Sequence, residues 1–295
     1  MTKITDPQVL DFIRVTLARY PAGANDASPA DNRRYYDDMC AAFRMPRPEG
    51  LAVSDRRIAG LPCRIYGEAS EVFVLYLHGG GFVVGGLDSH DDVCAEIADA
   101  TGLQVVAVDY RLAPEYRYPS QIGDVRAVWE ALDRPGVVVG DSAGGNLAAG
   151  LCLAMRGAGR MPLGQVLIYP GLGGDQNAPS YVENADAPML RTRDIATYQA
   201  LLMGDQAATE LSSPLTATDF RGLPPAFVVT ADVDPLRDDG RTYVTRLREA
   251  GIEAGFRNEH QLPHGFLRAR GMSDRAERSF RAVIGAIARL AVVRS

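Results

Sequence analysis

In the stretch "VVVGDSAGGNLAAG" (137–150), Ser142 stands between glycines, where an apolar β-branched run gives way to small residues that open a helix. The pattern Gly140-x-Ser142-x-Gly144 suits a sharp strand–helix turn that leaves a serine hydroxyl exposed at the strand end. The following helix aims its N-terminal amides at the same point. The competing reading is a glycine-rich turn with Ser142 as an ordinary N-cap. A hydroxyl is a weak nucleophile at neutral pH and needs a base, usually a histidine oriented by a carboxylate. The histidines are His78, His90, His260 and His264. His264, in "LPHGF", and Asp234, in "DVDPLRDDG", each follow a predicted late strand, so their loops converge on one sheet edge.

The separations, 234 − 142 = 92 and 264 − 234 = 30, leave room for an inserted segment and then one helix–strand unit. Asp232, Asp238 and Asp239 compete for the acid's place. Asp238 and Asp239 more simply stabilise the first turn of a helix, and Asp234 is favoured over Asp232. His260 sits among charged neighbours in "RNEH", which suggests an exposed strand end. A third element is "LYLHGGGFVVGG" (75–86), whose glycines can bring bare amides within ~3 Å of a developing oxyanion. Gly80 and Gly81 are the candidate donors, with the Ala143 amide as the third. His78 reads as a hydrogen bonder that steadies this loop.

These residues need elements to hold them. "PQVLDFIRVTLARY" opens with Asp6 and Pro7 in N-cap and N1 style, and "SPADNRRYYDDMCAAF" repeats the signal with Ser28 and Pro29. No strand adjoins them, so they form an added helical layer. An antiparallel pair, "AVSDRRIA" and "CRIYG" around a Gly60-Leu61-Pro62 turn, comes next. Apolar strands at 72–77, 104–110, 136–140, 165–170 and 226–231 then alternate with helices, followed by a short strand near "AGFRNEH" and a C-terminal helix. This predicts an α/β fold, a mostly parallel sheet covered on both faces. Residues 171–224, rich in Gly, Pro, Asn and Asp with one helix at "RDIATYQALLMG", break the alternation as a lid-like insertion.

The formal charge of −6 gives no basic footprint for nucleic acid. No apolar stretch reaches the ~20 residues of a membrane span, so no membrane insertion is expected. "MTKITDPQVLDF" lacks the pattern of a secretion signal, which predicts a cytoplasmic protein. Cys40, Cys63, Cys94 and Cys152 form no CxxC pair and read as core thiols in a reducing compartment, not as a metal site. Of 31 basic residues the one lysine is Lys3, which argues against Schiff-base, Walker-type, kinase and Ser-Lys chemistry.

Taken in order, "HGGGF", "DYRLAPE", "GDSAGGN", "DPLRDDG" and "HGF" closely resemble the hormone-sensitive-lipase-like esterases, bacterial family IV of the α/β-hydrolase superfamily. The motifs run from 78 to 266. The resemblance implies an α/β-hydrolase fold with a helical cap, residues 1–48 plus the insertion at about 171–224, on a catalytic domain of 49–295. It implies a cofactor-free, metal-free serine carboxylesterase with nucleophile Ser142, acid Asp234, base His264 and oxyanion amides at Gly80, Gly81 and Ala143. Its expected partner is a small-molecule ester with a short- to medium-chain acyl group. Phe12, Tyr198, Leu201, Leu202 and Met203 are candidate pocket walls from the cap, although for each taken singly packing within the cap is the favoured reading. In "DYRLAPE" the residues read as structural, with Arg111 pairing Asp109 or Glu115. Acyl transfer on the same triad, or a non-catalytic small-molecule receptor of the same fold, are the alternatives. A homodimer through a sheet edge or the C-terminal helix is compatible with the pattern but has no residue signature of its own.

Overall fold

The computed structural model describes residues 2–20, 24 and 27–292. Helix α1 (Pro7–Arg19) begins behind Asp6, whose carboxylate accepts the Gln8 and Val9 N–H groups. Helix α2 (Pro29–Ala41) begins behind Ser28, which accepts from the Asp31 N–H. Both start where the N-cap and proline signals lie. Strands β1 (Val53–Ile58) and β2 (Leu61–Tyr66) form the antiparallel pair, but the turn is shorter than expected. Ala59 and Gly60 alone make the loop, both at positive φ (51° and 81°), the backbone that a two-residue hairpin demands. Leu61 and Pro62 already belong to β2.

The chain continues through β3 (Phe73–Leu77), α3 (Asp91–Thr101), β4 (Gln104–Val108), α4 (Ser120–Ala131), β5 (Gly136–Asp141), α5 (Ala143–Met155) and β6 (Gly164–Ile168). Then come α6 (Pro179–Glu183), α7 (Thr192–Met203), β7 (Ala226–Val233), α8 (Arg237–Glu249), β8 (Ala254–Pro263) and α9 (Asp274–Leu290). The strands make one eight-stranded sheet in the order β1-β2-β4-β3-β5-β6-β7-β8. β2 runs antiparallel to its neighbours β1 and β4, and every other pairing is parallel. The last strand is ten residues long, not short, because it tracks β7 along its whole length.

Although the central strands are apolar throughout, alternate residues serve opposite faces. Leu75, Leu77, Val106, Val138, Leu167 and Val228 pack in the cluster that holds Trp129 of α4 and Leu147 of α5. Val74, Tyr76, Val105, Val139, Val166 and Val229 pack on the other side with residues of α1, α3 and α9. Phe12 belongs to this second cluster, edge-on to Phe43 at 5.1 Å, so the first two helices share a core with this face of the sheet. Arg33 of α2 ties that layer down further, donating to the carbonyls of Val83 and Ala113 and to Glu115. Arg111 consequently pairs neither Asp109 nor Glu115; its partner is Asp124, at 2.6 Å. Cys40, Cys63, Cys94 and Cys152 are buried free thiols. No described helix is long and apolar enough to cross a membrane.

The order matters for chemistry. β3 lies between β4 and β5, so the connections leave it in opposite directions along the sheet. At such a reversal, the loops leaving the carboxyl ends part and open a crevice. The glycine loop after β3 and the Ser142 turn after β5 both emerge there.

Candidate active site

Ser142 follows the last residue of β5 and precedes the first of α5, at φ 53° and ψ −116°. That backbone costs a non-glycine residue roughly 1–3 kcal/mol and persists only where the surroundings enforce it. Two contacts do so. Side chains at Gly140 and Gly144 would run into the backbone carbonyls of Gly144 and Leu77 respectively, so strand and helix approach as closely as glycine permits. The Ser142 N–H is held by the Ile168 carbonyl at 2.8 Å.

His264 brings its Nε2 to 2.9 Å from the Ser142 hydroxyl and its Nδ1 to 2.7 Å from Asp234 Oδ2. With the proton on Nδ1 donated to the carboxylate, Nε2 is left to accept the hydroxyl hydrogen. Asp234 is fully buried, and its other oxygen accepts the Leu236 N–H at 2.9 Å. Tyr169 lies against the imidazole, centroids 4.7 Å apart. The structure therefore brings Ser142, Asp234 and His264 together. The rivals form a separate pair: His260 Nδ1 is 3.0 Å from Asp232 Oδ2, on the outer strand β8.

Ala143 is the first residue of α5, so its N–H has no intrahelical acceptor. The Gly80 and Gly81 amides make no hydrogen bond among the described residues, and both glycines line the same cavity as Ser142 and His264. His78 has the steadying place expected of it, stacked on Tyr110 at 4.2 Å with Nδ1 2.8 Å from the Gly79 carbonyl. Burial pulls its pKa down to about 4, so it stays neutral.

Asp141 is a functional neighbour that the sequence reading missed. Its carboxylate accepts the Gly79 N–H at 3.0 Å and the Tyr76 hydroxyl at 2.9 Å, with His90 Nε2 at 3.3 Å. Thus the residue before Ser142 anchors the start of the glycine loop. Burial would raise this carboxyl, but His90 and Tyr76 outweigh it and hold the pKa at about 2, below the ordinary 3.8. A depressed carboxylate contributes stability above its unfolded pKa, lost as pH falls toward the folded one. The wild-type advantage over Asp141→Asn in urea unfolding should therefore shrink by about 2 kcal/mol between pH 5 and pH 2. Parallel pH curves would deny the carboxylate this anchoring role.

The insertion between β6 and β7 is fastened to the Asp234 loop. The Ser180 hydroxyl donates to the Pro235 carbonyl at 2.6 Å, and the Asn184 amide to the Asp234 carbonyl at 3.2 Å. Asp238 accepts the Ser180 N–H, and Asp239 accepts from Leu172, Gly174 and Tyr181. These two carboxylates lie in the first turn of α8, as the sequence suggested, and they also clamp the insertion. Burial pushes Asp239 up to about 6.

The cavity over Ser142 has a volume of about 150 Å³, with Phe82, Val84, Leu190, Tyr198 and Leu202 among its apolar walls. Of the five candidate residues, Tyr198 and Leu202 line it. Leu201 and Met203 pack on Val83 and Val84 beneath α7, and Phe12 lies in the core. The whole arrangement is an activated hydroxyl beside free amides in a largely apolar pocket, fit for acyl transfer from an ester.

Known proteins share this architecture. The profile of a family described as alpha/beta hydrolase fold matches residues 74–268. Esterase LipI of Mycobacterium tuberculosis (strain ATCC 25618 / H37Rv) is 38% identical, the match covering 76% of this chain and 78% of the relative. The ethyl acetate hydrolase of Pseudomonas putida is 31% identical over 90% of this chain and 91% of its own. A crystal structure of an esterase from the bacterial hormone-sensitive lipase (HSL) family superposes with a TM-score of 0.89 at 27% identity, covering 99% of this chain and 100% of that one. With carboxylic ester hydrolases along nearly its whole length, the chain belongs to the hormone-sensitive-lipase-like esterases of the α/β-hydrolase superfamily.

Proposed function

We propose that this carboxylesterase works through Ser142 as nucleophile, His264 as general base and acid, and Asp234 as the carboxylate that orients the imidazole. The amides of Gly80, Gly81 and Ala143 hold the oxyanion. The observation that carries this is the continuous 2.7 Å and 2.9 Å chain from carboxylate through imidazole to hydroxyl. Ser142 Oγ attacks the ester carbonyl carbon while its proton passes to His264 Nε2. The tetrahedral oxyanion collapses, the bond to the alcohol oxygen breaks, and the alcohol departs with the proton from Nε2. Water then gives a proton to Nε2 and attacks the acyl carbon, and Ser142 leaves with that proton. An imidazole within reach of the hydroxyl favours this over a receptor on the same fold.

The substrates are esters of short to medium acyl chains, cleaved by hydrolysis. The cavity of about 150 Å³ over Ser142 supports this, as does a relative named for ethyl acetate. The chain divides into a cap, residues 1–48 with the 171–224 insertion, and a catalytic domain of 49–295. The buried free thiols support a cytoplasmic setting.

A serine-directed organophosphonate is expected to add one mass label, on the peptide containing Ser142. On p-nitrophenyl esters from acetate to palmitate, kcat/KM should peak at or below octanoate. A label on another serine would refute the nucleophile, and a palmitate optimum would refute the chain-length reading. Ester products dominating when a competing alcohol is added would move the assignment to acyl transfer.

A further inference from the structure

The 3-10 turn Phe266–Gly271, immediately after His264 and Gly265, carries an arginine that the triad does not use. Arg268 lines the cavity over Ser142 and also a second cavity of about 690 Å³ between the N-terminal helices and the insertion. Tyr36, Met189, Leu190 and Tyr198 line both with it, so the guanidinium stands in the partition between the two spaces. A side chain at Gly265 would collide with its Nη2, which places the charge against the residue next to His264.

Its hydrogen bonding is incomplete. Nε is buried and has no partner among the described residues. Nη1 reaches the Tyr36 hydroxyl at 3.4 Å, the long limit of a hydrogen bond, and the guanidinium lies 5.7 Å from the Tyr36 ring centroid. No described carboxylate comes within ion-pair distance of it. Arg270, two residues on, shows the contrast: it is buried against Asp92 and Glu96, both at 2.6 Å. The nearby carboxylate of Asp141 is committed to Tyr76, Gly79 and His90. In the wall of the outer cavity, Arg191 and Asp194 satisfy each other with two bonds of 2.9 Å. A guanidinium is always charged, and removing it from water without a counter-charge is costly. Its planar fork matches a carboxylate in two-point geometry.

We propose that Arg268, with the Tyr36 hydroxyl beside it, recognises a free carboxylate on the substrate, so that preferred substrates are esters bearing a second, ionised carboxyl group. The inference rests on the esterase reading above and refines its substrate class. The carboxylate supplies the counter-charge that Arg268 lacks, and the ester carbonyl then lies toward Ser142 in the adjoining cavity. Apolar walls carry the short chain between the two ends. A neutral ester of equal length leaves the guanidinium unpaired, and discrimination follows from that difference.

The experiment compares matched esters in two arms. For a carboxylate on the acyl part, mono-p-nitrophenyl glutarate is paired with p-nitrophenyl valerate. For one on the alcohol part, carboxymethyl butyrate is paired with propyl butyrate. Each is measured on wild type, Arg268→Gln, Arg268→Met and Arg268→Lys, with rates normalised to the fraction of enzyme that takes up the phosphonate label. In the arm that matches the bound geometry, the charged-to-neutral ratio of kcat/KM should fall about 10- to 100-fold in the Gln and Met variants, the worth of a charge-assisted hydrogen bond. The loss should lie mainly in KM, with Lys retaining part of the preference. A ratio unchanged within twofold in both arms, or equal losses on charged and neutral esters, would overturn the inference while leaving the esterase reading intact. Wild type inactive on every ester, or activity that survives Ser142→Ala, would overturn both.

Discussion

Ser142→Ala should lower kcat on p-nitrophenyl acetate by roughly a million-fold, the loss seen when the nucleophile of a serine triad is removed. The size follows from the geometry. The hydroxyl at 2.9 Å from His264 Nε2 stands at the N-terminus of α5 and in the same cavity as the Gly80 and Gly81 amides, so removing it takes away the group that the base serves. What survives is the contribution of the Gly80, Gly81 and Ala143 amides and of substrate binding, which act on attack by water. The variant should still fold, because alanine keeps the Ile168 carbonyl bonded to the residue 142 amide. Turnover within tenfold of wild type would end the assignment.

The second large effect separates two acids that stand two residues apart. Asp234→Asn should cost about 10⁴ in kcat, since an amide can hold the imidazole in the wrong tautomer and cannot stabilise the imidazolium. Asp232→Asn should stay within tenfold of wild type. Asp232 answers His260, Asn258 and the Gln261 N–H, a set that fixes the end of β8 and touches no reacting atom. Stopped-flow acylation on both variants is the measurement. The reverse ranking would transfer the acid's role to the outer pair, which the 2.7 Å contact between Asp234 and His264 opposes.

Much of this was legible because the chemistry travels with rigid local signals. Ser142 is announced by glycines that a strand–helix contact requires. Asp234 and His264 each lie in a loop directly behind a β-strand run, and parallel strands deliver their loops to one edge. The alternation of strands and helices predicted the sheet without its order, since the reversal at β3 is set by long-range pairing that no local pattern encodes. Helix α3 went unnamed because its start, at His90, lacks a side-chain cap; Gly102 at its end, left-handed at φ 66°, was the usable signal. The fate of the cap residues was beyond periodicity. All four pack with the cluster of Val83 and Val84, and Tyr198 and Leu202 line the pocket as well, an outcome decided by how α7 is docked. Asp141 and Arg268 were invisible for a related reason: one looks like strand filler and the other like a surface arginine until their surroundings are known.

The bonds from Ser180 and Asn184 to the Asp234 loop bear on how this enzyme can be opened. Because the base of the insertion is riveted to the strand end that presents the acid, it cannot slide outward as a rigid plate without dragging that carboxylate off the imidazole. Room for a bulkier guest must come from farther along, beyond Asn184, where Tyr198 and Leu202 of α7 line the cavity. Redesign for larger esters therefore works on those two side chains, and loosening the rivets would blunt the catalyst beneath them.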